Sequence, residues 1–441
     1  MKSLVYLDHN ATTPPHPEVI EAMNAAQATG WANPSSLHRA GREARRLLDD
    51  ARERVASLAG VSDRDVLFTS GGTEANNLGL ERPFKDNRGL LVTSRLEHPS
   101  ALAYAESLES RGVVVRWVKP ERSGHLDPAA IAAALADRRP GEPALVAIHA
   151  VHHETGAIQP VREILARAEA LGASVHVDAV QAAGRVDPVI WQGAHTIALA
   201  AHKLRGPKGI GAIVARPGVQ VRPILRGGGQ ERGLRPGTVD PITAAGFGAA
   251  ARRALGGPER YAALAPLRDR IERGVYEVGQ LHRTLIEPTI TGWRAPHVCH
   301  VLVAGWRGDE LVAALDLEGI CVSSGSACSA GTAEPSPAIV ALVGPERARG
   351  ALRISLGETS TAEDADAFLA ALARAISRSG LFSYPNRRLR PRPHRRRRGL
   401  DRGGPRPRGG LRRAQGERGR CQRGCAGART RRGRWRRRSR R

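Results

Sequence analysis

Residues 174–215 read SVHVDAVQAAGRVDPVIWQGAHTIALAAHKLRGPKGIGAIVA. Three apolar runs in it, 174–180, 197–200 and 210–215, are short, rich in β-branched residues and separated by Gly/Pro-containing turns, which is the pattern of buried strands. Moving outward, runs of the same kind stand at 66–69, 90–93, 113–118 and 144–151, with helical patterns between several of them. Strands alternating with helices predict an α/β fold with a mainly parallel sheet covered on both faces. In such sheets ligands sit beyond the carboxyl ends of the strands, where the loops gather. Ahead of the first strand, apolar residues at Leu37, Ala40, Ala44, Leu47, Leu48, Ala51, Val55 and Leu58 fall on one face of an amphipathic helix over 36–58.

A composition shift at Gly256, Gly257 and Pro258 marks a boundary, followed by a helical pattern over 261–281. Segments 298–304, 309–317 and 351–356 then read as strand, helix, strand, and 362–377 as a closing helix, which together predict a smaller α+β domain.

The 441 residues carry a net charge of +25, and its distribution matters more than its size. Residues 381–441 hold 25 arginines against Asp401 and Glu417, leaving 43 basic and 41 acidic side chains in the rest. The body is near neutral, so a nucleic-acid surface is expected only if the tail is genuine. That tail is too poor in apolar residues to offset its ordering entropy and is expected to be disordered; its abrupt onset also fits a reading-frame change in the gene. No apolar run reaches the length of a membrane span and the N-terminus lacks a signal-peptide core, so a cytoplasmic protein without a membrane partner is expected. Five cysteines, Cys299, Cys321, Cys328, Cys421 and Cys425, show neither disulfide-framework nor zinc spacing, and no metal site is expected.

Only five of the 68 basic residues are lysines, so a lysine in a constrained place invites a chemical reading. Lys203 follows the 197–200 strand and precedes a Gly/Pro turn, a position suited to a Schiff base with an aldehyde cofactor. The alternative for Lys203 and Lys208 is surface charge. Asp178 ends an apolar strand, where a carboxylate wants a partner such as a protonated pyridine nitrogen, with Gln181 in reach of the ring's phenolic oxygen; the alternative is a helix N-cap. Thr69-Ser-Gly-Gly-Thr-Glu-Ala-Asn-Asn is a strand end, two glycines and a helix start, a pattern that offers backbone amides and the Thr73 hydroxyl to a phosphate. His98, just past another strand, suits stacking on a flat ring or proton transfer. Cys328 lies in a Ser/Gly/Ala-rich stretch that reads as an exposed loop, whereas Cys299 and Cys321, with apolar neighbours, read as packing cysteines.

In their order these motifs resemble the NifS/IscS-like cysteine desulfurases among the class V pyridoxal-phosphate (PLP) enzymes. The resemblance runs from Tyr6-Leu-Asp-His-Asn-Ala-Thr-Thr to about Thr361, through Asn33-Pro-Ser-Ser-Leu-His, Gly227-Gly-Gly-Gln-Glu-Arg-Gly-Leu-Arg and Ser323-Ser-Gly-Ser-Ala-Cys-Ser-Ala-Gly-Thr-Ala-Glu-Pro-Ser. It implies an aspartate-aminotransferase-like fold with a seven-stranded sheet. Residues 15–255 would form a large PLP-binding domain, and 1–14 with 256–380 a small domain carrying the cysteine loop. Lys203 would carry the PLP Schiff base, His98 stack on the ring, Asp178 pair with the pyridine nitrogen and Gln181 bond O3'. Gly72, Thr73 and His202 would hold the phosphate, with Thr238 arriving from the partner of a homodimer. Arg353 would clamp the carboxylate of L-cysteine, and Cys328 would take its sulfur as persulfide, releasing alanine. The sulfur would pass to an acceptor such as an iron–sulfur scaffold or a tRNA-thiolation protein.

Four positions, at three places in the chain, depart from the family pattern. His152-His153-Glu154 stands where the family has Asn-Asn-Glu, so His153 would take over the contacts to cofactor and substrate. Ala200 replaces a hydroxyl residue that touches the phosphate, which implies weaker cofactor retention. Glu358 stands where a basic or neutral residue is common. Two other readings compete: another class V enzyme, such as an aminotransferase or selenocysteine lyase, and a nucleic-acid-binding protein on a degenerate fold. A thiol in the Gly-Ser-Ala-Cys-Ser context argues against transamination, and Lys203, Asp178 and Cys328 together argue against the non-enzyme.

Overall fold

A computed structural model describes residues 4–139, 141–325 and 334–379. Cys328 and the Arg-rich segment 381–441 lie outside these described residues. The strands are β1 (Val5–Tyr6), β2 (Val66–Thr69), β3 (Leu90–Ser94), β4 (Val114–Val118), β5 (Ala144–His149), β6 (Ser174–Asp178), β7 (Thr196–Ala200), β8 (Gly211–Ala215), β9 (Ile286–Pro288), β10 (Val298–Val303), β11 (Ile320–Cys321) and β12 (Ala351–Ser355). Seven of them form one sheet in the order β2-β8-β7-β6-β5-β3-β4. The pairs among β4, β3, β5, β6 and β7 are parallel, and β8 runs antiparallel to both its neighbours.

The helices are α1 (Pro17–Thr29), α2 (Arg39–Ala59), α3 (Gly72–Glu81), α4 (Pro99–Ser110), α5 (Pro128–Ala136), α6 (Val161–Ala170), α7 (Pro241–Ala254), α8 (Gly257–Ala262), α9 (Ala265–Leu281), α10 (Gly308–Asp316), α11 (Pro337–Val343), α12 (Pro345–Ala348) and α13 (Ala362–Ser379). Because side chains alternate along a strand, each strand serves both faces of the sheet. Ala144, Val146 and Ile148 of β5 join a core shared with α2, α5, α6 and α7. Leu145 and Ala147 pack instead with Leu80 of α3 and with Ala101, Ala105 and Leu108 of α4.

The amphipathic helix α2 starts where the His38 ring accepts the Gly41 N–H at 3.2 Å and ends at Gly60 in the left-handed conformation. Its buried stripe, Ala44, Leu48, Ala51 and Val55, lies against α7, which is built of small residues. A β-carbon at Gly248 of α7 would come within 2.8 Å of Ala51 Cα, so the two backbones meet there and only glycine fits.

A second core surrounds Val5, Leu7, Ile271, Val301, Leu311, Ile354 and Phe368. Its sheet is antiparallel, β12-β10-β9, and beside it β1 pairs in parallel with β11. Asp8 bridges Ser355, so the N-terminal segment belongs physically with strands made more than 300 residues later.

Two sequence expectations need correction. The helical pattern over 261–281 is two helices, α8 and α9, because Pro266 has no N–H to continue a helix but fits the first turn of a new one. Cys321 is not a buried packing residue: it sits half-exposed on the two-residue strand β11, while Cys299 on central β10 is 1% exposed.

Candidate active site

The carboxyl ends of β5, β6 and β7 open into a cleft, which the N-terminal segment and β12 complete. Its walls include Gly72, Thr73, His98, His153, Asp178, Gln181, His202, Lys203 and Arg353, nine of the residues singled out in the sequence. Thr238 lies exposed before α7 and does not line the cleft. Lys208 is exposed and outside it as well, so of the two lysines only Lys203 has a place in the cavity.

Lys203 follows β7 in a short helical turn, and its Nζ donates to the carbonyls of Asn10 at 2.5 Å and Ala11 at 2.8 Å. Asp178 ends β6 and is 7% exposed. Asn76 Nδ2 donates to its Oδ2 at 2.7 Å and the Val180 N–H to its Oδ1 at 2.9 Å. The capping role is therefore present, but on a run of turns over 180–185 and not on a helix. Asn76 is held in turn by His176 Nε2 at 3.0 Å, and burial lowers the His176 pKa to about 4. His176 is thus neutral at ordinary pH.

At the other end, α3 begins at Gly72. A β-carbon there would stand 2.8 Å from Val180 Cγ2 and 3.5 Å from Ala200 Cβ, filling the space ahead of the helix N-terminus. The glycine keeps open a cradle of amide donors bordered by Thr73 and His202, which fits a phosphate group. His202 is held neutral, its pKa lowered to about 4 by burial and by the charges of Lys203 and Arg185. Ala200 is 2% exposed and contributes only a methyl group to this wall.

The cleft's histidines differ in tautomer. His98 caps α4, its Nδ1 accepting the Ser100 N–H at 3.1 Å, so Nε2 carries the proton of the neutral ring. Its ring meets that of His153 edge-on, centroids 5.3 Å apart. His149 is fixed between Glu97 at 2.8 Å and Gln159 at 3.1 Å. His153 lies 3.3 Å from Glu154 Oε1, and burial together with His98, Arg353, His149 and Lys203 holds its pKa well below the ordinary value. Ligating atoms of His152, His153 and Glu154 lie within 4.8 Å of one another. However, His152 Nδ1 accepts the Thr155 N–H at 3.0 Å, which leaves the proton on Nε2, where a metal would need a lone pair.

Arg353 is 2% exposed on β12, with Nη2 on Asp8 Oδ1 at 2.6 Å and Nη1 on the His153 carbonyl at 3.1 Å. A substrate carboxylate binding to the fork must compete with both. Cys328 lies outside the described residues, but its flanks do not: Ser336 Oγ donates to Glu154 Oε1 at 2.6 Å, and a β-carbon on Gly325 would approach Glu154 Oε2 to 3.2 Å. Both flanks therefore stand next to the residue that follows His153 of the cleft.

Sequence reasoning missed Asn10, Asn76 and Arg185. The first two sat inside quoted motifs without a role, and the third gave no local signal. The unusual Glu358 also finds its reason here. It receives Arg205 at 3.4 Å, Arg260 at 3.0 Å and Arg253, three arginines that a basic residue at this position would repel. The 227–235 motif stands outside the cleft: Arg52 grips Glu231 through two bonds of 2.7 Å, and Arg235 bonds Glu74 in the first turn of α3 at 3.0 Å.

Comparison with known proteins gives one answer. The family model described as Aminotransferase class-V matches residues 5–368. The IscS-like cysteine desulfurase of Mycobacterium tuberculosis is 39% identical over 387 residues, covering 85% of this chain and 97% of that protein. A cysteine desulfurase of Cereibacter sphaeroides is 41% identical over 375 residues, covering 83% and 94%. Among solved structures, a NifS-like protein superposes with a TM-score of 0.77 at 30% identity, over 85% of this chain and 99% of that one. A NifS-like protein from Rickettsia africae gives 0.76 at 29% identity, with the same coverage.

Proposed function

From the premise that the chain belongs to the class-V aminotransferase family and, within it, to the cysteine desulfurases, we propose that it moves sulfur from free L-cysteine onto its own Cys328 and releases L-alanine. The observation that carries this reading is the meeting of Lys203, Asp178 and the Gly72 cradle in one cleft with Arg353. Amine, carboxylate, anion cradle and carboxylate clamp match the four ends of a PLP–cysteine pair.

Pyridoxal phosphate bound there supplies an aldehyde for the amine of cysteine and a cationic ring that draws electrons from the substrate. The chain's own residues do the rest. Gly72, Thr73 and His202 hold the phosphate, joined by Thr238 of a partner subunit. Asp178, oriented by Asn76, keeps the ring nitrogen protonated, and Gln181 donates to O3'. His98 lies against the ring, and His153 faces both cofactor and substrate. Arg353 fixes the substrate carboxylate as a bidentate fork, which sets the sulfur in one direction for Cys328. The domain division follows the same reading, 15–255 for the cofactor and 1–14 with 256–380 for the cysteine loop. A homodimer in the cytoplasm that passes sulfur to an acceptor, such as an iron–sulfur scaffold, completes it. No helix among the described residues is long and apolar enough to cross a membrane.

The deciding experiment incubates purified protein and PLP with cysteine and a reducing thiol. Alanine and sulfide in equal amounts are expected; a keto acid without sulfide would point to an aminotransferase. Affinity for PLP offers a second check. Ala200→Ser adds a hydroxyl donor facing the phosphate cradle, worth about 1.5–3 kcal/mol as a hydrogen bond to a charged group. The cofactor's dissociation constant should fall about tenfold to a hundredfold, measured by equilibrium dialysis. An unchanged constant would mean the cradle is already saturated with donors.

A further inference from the structure

Arg185, in the turn after β6, is 1% exposed, yet among the described residues no carboxylate lies within ion-pair distance of it. The carboxylate of Glu358 is taken by three other arginines. A buried charge without a counter-ion is costly, and here the two terminal nitrogens carry the compensating hydrogen bonds while Nε has no partner among the described residues. Nη1 donates to Asn10 Oδ1 at 2.8 Å and to Gln181 Oε1, and lies 3.3 Å from His297 Nε2. Nη2 donates to the carbonyls of Lys203 at 3.0 Å and His9 at 3.3 Å.

Three of these groups, Asn10, Gln181 and Lys203, line the cleft. Gln181 Nε2 and Lys203 Nζ both donate to the Asn10 carbonyl, at 2.9 Å and 2.5 Å. Guanidinium is a donor only, so it accepts one orientation of the Gln181 amide and rejects the other. With Oε1 held by Arg185, the NH2 group is the end that serves the cleft.

We propose that Arg185 is a positioning residue for sulfur removal: it sets the amide orientation of Gln181 and anchors Asn10 and the Lys203 backbone, so that all three meet the cofactor in register. This rests on the reading of the cleft as a PLP site, and nothing in it requires Arg185 to touch substrate or cofactor.

The test uses holoenzyme and two variants. Arg185→Met removes the donors at similar length, and Gln181→Glu keeps an acceptor for Arg185 but removes the NH2 donor. Both should retain a cofactor that borohydride fixes to the chain. In both, the pH at which the bound cofactor's visible band titrates should rise by about one unit, because the phenolate oxygen has lost its donor. Turnover should fall about tenfold to a hundredfold, with KM for cysteine within about threefold. Arg185→Met protein that melts earlier but keeps the wild-type band midpoint and turnover would overturn the proposal. If Arg185→Met does not fold, Gln181→Glu decides alone, and an unmoved midpoint has the same meaning. Failure of the desulfurase reading shows separately, as wild-type holoenzyme that yields neither alanine nor sulfide, while the band shifts would still report on Arg185.

Discussion

Lys203→Ala protein, treated with PLP and borohydride, should carry no pyridoxyl group, whereas the wild-type chain should carry one on the peptide containing residue 203. The argument is positional. Lys203 is the lysine that lines the cleft, one turn beyond β7 and in the same cavity as Asp178, while Lys208 is exposed on the far side of the Gly-Pro turn. Its amine donates to two backbone carbonyls, which point it into the cavity. Turnover should fall roughly a thousandfold or more, the scale on which loss of a covalent catalytic group acts. A reducible adduct that persists in the variant, or maps to Lys208, would remove Lys203 from its role.

Cys328→Ser should separate cofactor binding from sulfur transfer. Every cofactor contact described above comes from residues other than 328, so the variant's visible spectrum should match the wild type. Its hydroxyl is not ionised near neutral pH, whereas a thiol loses its proton at about pH 8.5 and below that in favourable surroundings, so sulfur capture fails. Persulfide, measured by intact mass after exposure to cysteine, should be absent, and sulfide release should drop at least about a hundredfold. Equal sulfide from variant and wild type would refute Cys328 as the acceptor and revive the aminotransferase-like alternatives.

What was legible in the sequence is what short-range pattern encodes. All seven strands of the main sheet were located from β-branched runs, though 144–151 and 174–180 were read two residues too long, since the chain turns into the cleft after His149 and Asp178. Lys203, Asp178, Gly72 and Thr73 were readable because each sits at a strand end or helix start with a local signature. Asn10, Asn76 and Arg185 were not, because their roles exist only through partners far away in sequence: Asn10 meets Gln181 and Lys203, and Asn76 meets Asp178. A buried arginine that bonds only neutral groups has no sequence signature at all. The departures at His152 and His153 were visible as oddities, but the tautomer of His152 follows from a backbone amide, that of Thr155, whose direction no side-chain pattern discloses.

The attachment of residues 5–10 to β11 and β12 carries a consequence for how the protein is made. Asn10 and Ala11, whose carbonyls hold Lys203, are made more than 300 residues before the strands that anchor their segment, Ile320–Cys321 and Ala351–Ser355. The main sheet itself closes early, once Gly211–Ala215 has emerged to pair with Val66–Thr69. A nascent chain that ends near residue 300 therefore contains Lys203, Asp178 and Gly72, but neither Arg353 nor the strands that fix the segment beneath them. Long-range closure of this kind is slow relative to local folding. On the proposed reading, sulfur chemistry therefore waits until Ala351–Ser355 has been made and has paired with the N-terminal segment.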